Sequence, residues 1–288
     1  MILVDLNQVM ISSFMAQVGS YGTTEPSEDL FRHMVLNALR GYRKKFYSEY
    51  GELVICNDDK NYWRKDIYPY YKAHRKGMRD ESDLDWNAVF NCLNNVRDEL
   101  QEFFPYKFIR VERAEADDAI GTLCHEFGAQ LGNGDEKILI VSGDKDFIQL
   151  QKFSNVQQYD PIRKRWIKHK DPERFLKEHI MKGDRGDGIP NFLSSDDTFV
   201  TPNKRQKPLR QKVIDTILGQ VSICENMNKT QLLGWQRNKA LVDLNEVPEY
   251  IRTEVLEQYQ SSGNGREHLF NYFVSNRLTQ LVENIGDF

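Results

Sequence analysis

Four short, largely apolar runs set the frame of this chain: Ile2–Val4, Leu53–Cys56, Tyr106–Val111 and Ile138–Val141. Each is too brief for a helix, and Ile138–Val141 is aliphatic throughout, the pattern of a strand buried on both faces of a sheet. Between them, hydrophobic residues recur at helical spacing. Helices are predicted over Asn7–Val18, Asp29–Tyr50 (Leu30, Met34, Leu36, Leu39) and Trp86–Phe104 (Val89, Leu93, Val96, Leu100). Another is predicted over 113–131, with Glu115, Asp117 and Asp118 at its start. This alternation predicts an α/β fold with a mostly parallel central sheet and helices on both faces. Val156–Tyr159 and Arg165–Ile167 predict a hairpin around Asp160–Pro161. Residues 230–288 read as mainly helical, with Leu269, Phe270, Tyr272, Phe273, Leu278, Leu281, Val282 and Ile285 as the positions expected to pack against the rest.

Composition narrows the class. The 288 residues suffice for one large α/β domain, or for that plus a smaller one. A charged fraction of 28% and a mean hydropathy of −0.64 describe a hydrophilic globule. No apolar run approaches the ~18 residues of a membrane span, so no membrane association is expected. The chain enters MILVDLN with no basic leader, so no export signal is expected and the cytoplasm is the anticipated compartment. Cys56, Cys92, Cys124 and Cys224 are widely spaced, with no CxxC pair and no clustered histidines. That argues against a zinc site, and reduced, buried thiols are the simplest expectation.

Candidate chemistry gathers where the strands end. The first ends at Asp5, Asp58 and Asp59 close the second, and Asp144 and Asp146 come just after the fourth, while the third leads within a few residues to Glu115, Asp117 and Asp118. Singly, each acid is explained by a turn or a helix N-terminus. Together they fall on one rim of a parallel sheet, at the carboxyl ends of the strands, where ligands of such folds bind. Mutual repulsion would destabilise that rim unless cations neutralise it, and oxygen ligands suit Mg²⁺. Asp184 and Asp187, in the glycine-rich turn MKGDRGDGIPN, could complete the cation site or could belong to an irregular surface loop. Between Asp58 and Asp59, Asp58 is preferred because it lies nearer its strand.

The net charge of −4 hides strong segregation. Segment 60–79 carries Lys60, Arg64, Lys65, Lys72, Arg75, Lys76 and Arg79 against one acid, Asp66, with Tyr62, Trp63, Tyr68, Tyr70 and Tyr71 interleaved. A polyanion site beside a cation site accounts for this division; a solvated helical face is the plainer alternative. Lys204, Arg205, Lys207, Arg210 and Lys212 lead into a helix predicted over 209–218 and could hold duplex phosphates.

Six motifs then occur in a telling order: VDLN at 4–7, NDDKNYWRKD from Asn57, YYKAHR at 70–75, AEADD at 114–118, SGDKDFIQL at 142–150 and KGDRGDGIP at 182–190. In this set and order the chain resembles the 5′-nuclease superfamily of flap endonucleases and phage 5′→3′ exonucleases, and within it the T-even phage ribonuclease H branch. The resemblance implies a PIN-like 5′-nuclease core over 1–180 with a helical arch near 60–90. It also implies a helical region over 181–288 with a helix–turn–helix-like module at 182–220. It further implies two Mg²⁺ ions, replaceable by Mn²⁺. Asp5, Asp58, Glu115, Asp117 and Asp118 would hold the first, and Asp144, Asp146, Asp184 and Asp187 the second. Lys72 and Arg75, about one helical turn apart, would steady the scissile phosphate while Tyr71 stacks near the 5′ end, with Lys60, Arg64 and Lys65 as further nucleic-acid contacts. The implied activity is Mg²⁺-dependent 5′→3′ exonuclease and flap endonuclease cutting of RNA–DNA hybrid, duplex and flapped DNA by a monomer. In the host bacterial cytoplasm this would remove RNA primers, with a phage single-stranded-DNA-binding protein touching the C-terminal region. The alternatives are a structure-specific binding protein with weak catalysis, or a small-molecule phosphohydrolase.

Overall fold

A computed structural model describes residues 1–21, 26–129, 136–220, 223–225, 227–261 and 263–288. Its strands are β1 (Ile2–Asp5), β2 (Leu53–Cys56), β3 (Lys107–Ile109), β4 (Ile138–Val141), β5 (Val156–Asp160) and β6 (Arg165–Ile167). They form a six-stranded sheet in the order β3-β2-β1-β4-β5-β6. The pairings from β3 to β5 are parallel, and β6 alone runs antiparallel, as the far arm of the predicted hairpin. Crossovers lead outward from β1 towards β3 and from β4 towards β5. The strand order therefore reverses between β1 and β4, and a crevice opens above their carboxyl ends.

Alternation along each strand serves both faces. Ile2, Val4, Leu53, Ile55, Leu139 and Val141 pack with the helices Leu6–Tyr21, Glu28–Tyr50 and Trp86–Phe103. Leu3, Val54, Cys56, Ile138 and Ile140 pack on the opposite face with the helix Ala116–Phe127. Burial on both sides is why these runs show no polar alternation. The C-terminal segment joins the same cores: Leu269, Tyr272, Phe273, Leu278 and Leu281 enter the first cluster, and Leu244, Val247, Ile251 and Val255 the second. Val282 and Ile285 pack at the margin. Phe270, in contrast, is 55% exposed.

A third cluster joins the basic-aromatic segment to the second half of the chain, through Tyr68, Tyr71, Ile180, Met181, Ile189, Phe192 and Trp235. Over 60–90 the backbone forms the short helices Arg64–Ile67 and His74–Asp80, before Asp85 caps Trp86–Phe103 by accepting from the backbones of Asn87 and Ala88.

Several expectations are corrected in detail. Asp5 closes β1 as expected, but the third strand is shorter than predicted, covering Lys107–Ile109. The acidic-start helix ends at Phe127; Gln130 and Leu131 lie outside the described residues. The helix expected over 209–218 spans Gln211–Leu218, with Arg210 as its cap. Cys56, Cys92 and Cys124 are buried, but Cys224 is exposed. Among the described residues, no helix is long and apolar enough to cross a membrane.

Candidate metal centre and nucleic-acid interface

The crevice above β1 and β4 is lined by carboxylates. Asp5 accepts hydrogen bonds from the Gln8 backbone at 3.0 Å and the Ser142 hydroxyl at 3.1 Å, which fix it beside the turn after β4. Two residues beyond β2, Asp58 accepts from the Ala116 backbone at 2.7 Å, so it sits on the N-terminus of the helix Ala116–Phe127. Asp59 turns the other way. It accepts from the Arg113 backbone at 3.0 Å, which ties down the loop leading into that helix. Asp144 accepts from the Asp146 backbone at 2.9 Å and opens the tight helix Lys145–Lys152.

The helix start at Glu115 divides its acids by direction. Glu115 and Asp118 form a reciprocal capping box, each side chain accepting from the other residue's backbone. Asp118 is wholly buried and points inward, accepting from Trp63 Nε1 at 3.0 Å and pairing with Arg64. Asp117 faces the crevice, where Asp144, Asp5 and Glu115 all act on its charge. Asp118 thus belongs to the support of the site and not to its lining.

Electrostatics shows how closely the acids converge. Burial, then Asp58 and Asp144, push the Asp5 carboxyl up to about 7. Asp144 rises to about 6 through burial and the adjacent Asp146, with Asp187 and Asp184 adding to it. Burial, followed by Asp144 and Asp5, holds Asp117 well above the usual carboxylate range. Asp58 is raised by burial and Glu115. Glu115 and Asp184 go the other way: burial opposes their charge, but Lys72 and Arg64 outweigh it at Glu115, and Lys145 does so at Asp184. Carboxylates kept from ionising by burial and then by one another are a site that cations would stabilise.

Beside this group, one ligand atom from each of Asp146, His179 and Asp184 lies within 4.8 Å of the others. Asp187 accepts from Arg75 at 2.6 Å, with Lys72 Nζ 3.7 Å away. The turn that carries Asp184 and Asp187 closes when the Ile189 N–H donates to the Asp184 carbonyl at 2.7 Å. At Gly183 the φ is +67° and an added Cβ would meet the Ile189 carbonyl oxygen at 2.4 Å, so only glycine fits. By donor type the acids fit divalent cations: Asp5, Asp58, Glu115, Asp117 and Asp144 act on one another's charge in the crevice, and Asp146 and Asp184 converge with His179 beside them.

The basic-aromatic segment divides in a way its composition hides. Lys72 adopts φ +55° and its ammonium pairs with Glu115, while Arg75, whose backbone N–H donates to the Lys72 carbonyl at 3.1 Å, lies in the first turn of the helix His74–Asp80; the two converge on Asp187. Tyr71 is 3% exposed, and its hydroxyl lies 2.9 Å from Glu115 Oε2 and 3.0 Å from Asp187 Oδ2. A ring so enclosed bridges the acids and offers no face to a base, contrary to the stacking role expected for it. Arg64 is likewise buried, donating to the Leu241 carbonyl at 2.9 Å and to Glu115 at 2.8 Å. It is an internal countercharge, not a contact for nucleic acid. Lys60 and Lys65 remain exposed, as do Lys204, Arg205, Lys207, Arg210 and Lys212, with Lys204 paired to Asp197.

Two participants escape a reading of strand ends: Lys145, whose ammonium is 2.8 Å from Asp184, and His179. The sequence offers only one signal for His179, its place just before the GDRGD turn; no element is predicted over the helix Pro172–Lys182 that carries it.

Comparisons with known proteins agree with this architecture. Residues 1–181 match the family model described as 5′-3′ exonuclease, N-terminal resolvase-like domain, and residues 171–288 match T4 RNase H, C terminal. Ribonuclease H of Enterobacteria phage T4 is 30% identical over 99% of this chain and 95% of its own length. Flap endonuclease Xni of Shewanella oneidensis is 30% identical over 48% of this chain, and the match covers 51% of that protein. The crystal structure of T5 D15 protein co-crystallised with metal ions superposes with a TM-score of 0.62, covering 90% of this chain and 99% of that one at 15% identity, a likeness of fold.

Proposed function

Since the chain belongs to the 5′-3′ exonuclease family and is a hydrolytic nuclease, we propose that it cleaves phosphodiesters from the 5′ ends of RNA–DNA hybrid, duplex and flapped DNA in a Mg²⁺-dependent reaction. The observation that carries this reading is the convergence of Asp5, Asp58, Glu115, Asp117 and Asp144 on one crevice, beside Asp146, Asp184 and Asp187. When bound, paired cations would activate a water and neutralise charge on the attacking and leaving oxygens of an in-line displacement at phosphorus.

The chain's own residues supply the rest. Lys72 and Arg75 stand over Asp187 at the crevice edge, where they can receive the scissile phosphate. Tyr71 and Arg64, held inside, fix Glu115 from behind, so that its orientation does not depend on substrate. Lys60 and Lys65 extend positive charge outward from the crevice, and Lys204, Arg205, Lys207, Arg210 and Lys212 would hold duplex phosphates without reading sequence. Removal of RNA primers by a monomer in the host bacterial cytoplasm fits this substrate class. A single-stranded-DNA-binding partner would find apolar surface at Phe270 and Val274, exposed by 55% and 54%.

The test uses 5′- and 3′-labelled hybrid, nicked and flap substrates with Mg²⁺ varied and product lengths read. Short products released from the 5′ label are expected. Binding without release at any Mg²⁺ concentration would leave a binding protein instead.

A further inference from the structure

The last turn of the helix Pro172–Lys182 brings a nitrogen donor to a site otherwise made of oxygen. His179 Nε2 lies 3.1 Å from Asp146 Oδ1 and 3.6 Å from Asp184 Oδ2, and the residue is 7% exposed. Neither Nε2 nor Asp146 Oδ1 has a hydrogen-bond partner: the two approach each other out of hydrogen-bond alignment. Buried polar atoms left this way are costly and ask for a common partner. The imidazole is also held in place. Phe175, one turn earlier, stacks on it with ring centroids 5.8 Å apart and planes 13° from parallel. Asp184 is fixed through Oδ1 by the Gly186 backbone at 2.7 Å, which leaves Oδ2 facing the histidine. There the Lys145 ammonium, 2.8 Å away on a side chain 48% exposed, supplies a positive charge that can withdraw into solvent.

We propose that His179 is a ligand of the second cation, giving that seat a mixed nitrogen–carboxylate character that holds Mn²⁺ more tightly than Mg²⁺. Imidazole suits first-row transition ions, whereas Mg²⁺ favours oxygen donors and retains its water. The proposal rests on the reading that Asp146 and Asp184 face that cation. It adds a residue from a helix that carries none of the acidic motifs.

Electron spin-echo spectroscopy of Mn²⁺ bound to the full chain without nucleic acid tests it, beside calorimetric titration with Mn²⁺ and Mg²⁺. The parental protein should show ¹⁴N coupling from a directly bound imidazole, altered when histidine is ¹⁵N-labelled and absent in His179→Gln. Labelling leaves the fold untouched, so the readout survives if the variant does not fold. Mn²⁺ affinity at one of two sites should fall by at least about 10-fold in His179→Gln, the cost of losing even a group that merely supports a ligand, with a smaller loss for Mg²⁺. Lys145→Met, which removes the competing ammonium, should tighten Mn²⁺. Absence of nitrogen coupling, with one Mn²⁺ still lost in Asp146→Asn, would overturn the histidine assignment alone. Two Mn²⁺ ions bound undiminished by Asp146→Asn would overturn it together with the second-site reading.

Discussion

Replacing Arg64 with methionine should unfold the protein more readily while leaving its electrostatic grip on nucleic acid unchanged. The guanidinium is 3% exposed and meets Glu115 and Asp118, themselves 2% and 0% exposed, at 2.8 Å each. It also donates to the Leu241 carbonyl at 2.9 Å, which stitches the basic-aromatic segment to the helix Lys229–Val242. Removing one partner of a buried ion pair strands the other charge and typically costs about 3–5 kcal/mol. With a urea m-value of about 3 kcal/mol/M for a chain of this size, the unfolding midpoint should fall by about 1–1.7 M. Binding to duplex DNA at 50–200 mM salt, measured where the variant is folded, should keep the parental slope, since a lost phosphate contact would lower that slope by about one. An unchanged midpoint with a shallower salt slope would refute the reasoning and restore Arg64 to the outer surface.

Two further outcomes follow from the geometry of the crevice. In chelator, the raised pKa of Asp5, about 7 against 3.8 in the unfolded chain, means that its bound proton stabilises the fold below about pH 4 and that this support is lost as pH rises to about 7. The fall in melting temperature between pH 5 and 8 should therefore be smaller in Asp5→Asn, and Mg²⁺ should raise the parental value at pH 8; identical pH profiles for the two proteins would count against it. Tyr71→Phe removes a hydroxyl shared by the buried Glu115 and the half-buried Asp187 and should cost about 1.5–3 kcal/mol in denaturant unfolding, while the fluorescence quenching of a 5′-terminal 2-aminopurine stays at its parental level. Loss of that quenching would return the ring to base stacking.

Much of this architecture is legible in the sequence for one reason: β1, β2 and β4 are covered on both faces, so each begins as an unbroken apolar run that stops where the sheet meets the crevice. Asp5, Asp58 and Asp144 are found from those stops, and Asp117 from the turn that follows β3. What spacing does not reveal is direction. Glu115, Asp117 and Asp118 lie within four residues, yet the capping geometry sends Asp118 into the core towards Trp63 while Asp117 faces the acids. Similarly, Arg64 and Lys65 are adjacent, and one is buried while the other is exposed, because Arg64–Ile67 is a single turn wedged against the helix Lys229–Val242. Lys72 reaches Glu115 through a left-handed backbone that a helical reading of YKAHR does not anticipate. His179 is invisible for another reason: it sits on a helix whose pattern is set by packing, and only the fold brings it to Asp146.

Asp146→Asn assayed for cleavage and for duplex binding in parallel tests the central claim most directly, because it removes one negative charge from the crevice without touching the basic surface. Release of 5′-labelled oligonucleotides in Mg²⁺ should be abolished while affinity for the duplex stays within about twofold of the parental value, a change under ~0.5 kcal/mol. Cleavage at the parental rate would contradict the account, since the acids gathered beyond β1 and β4 would then not be where the phosphodiester is cut.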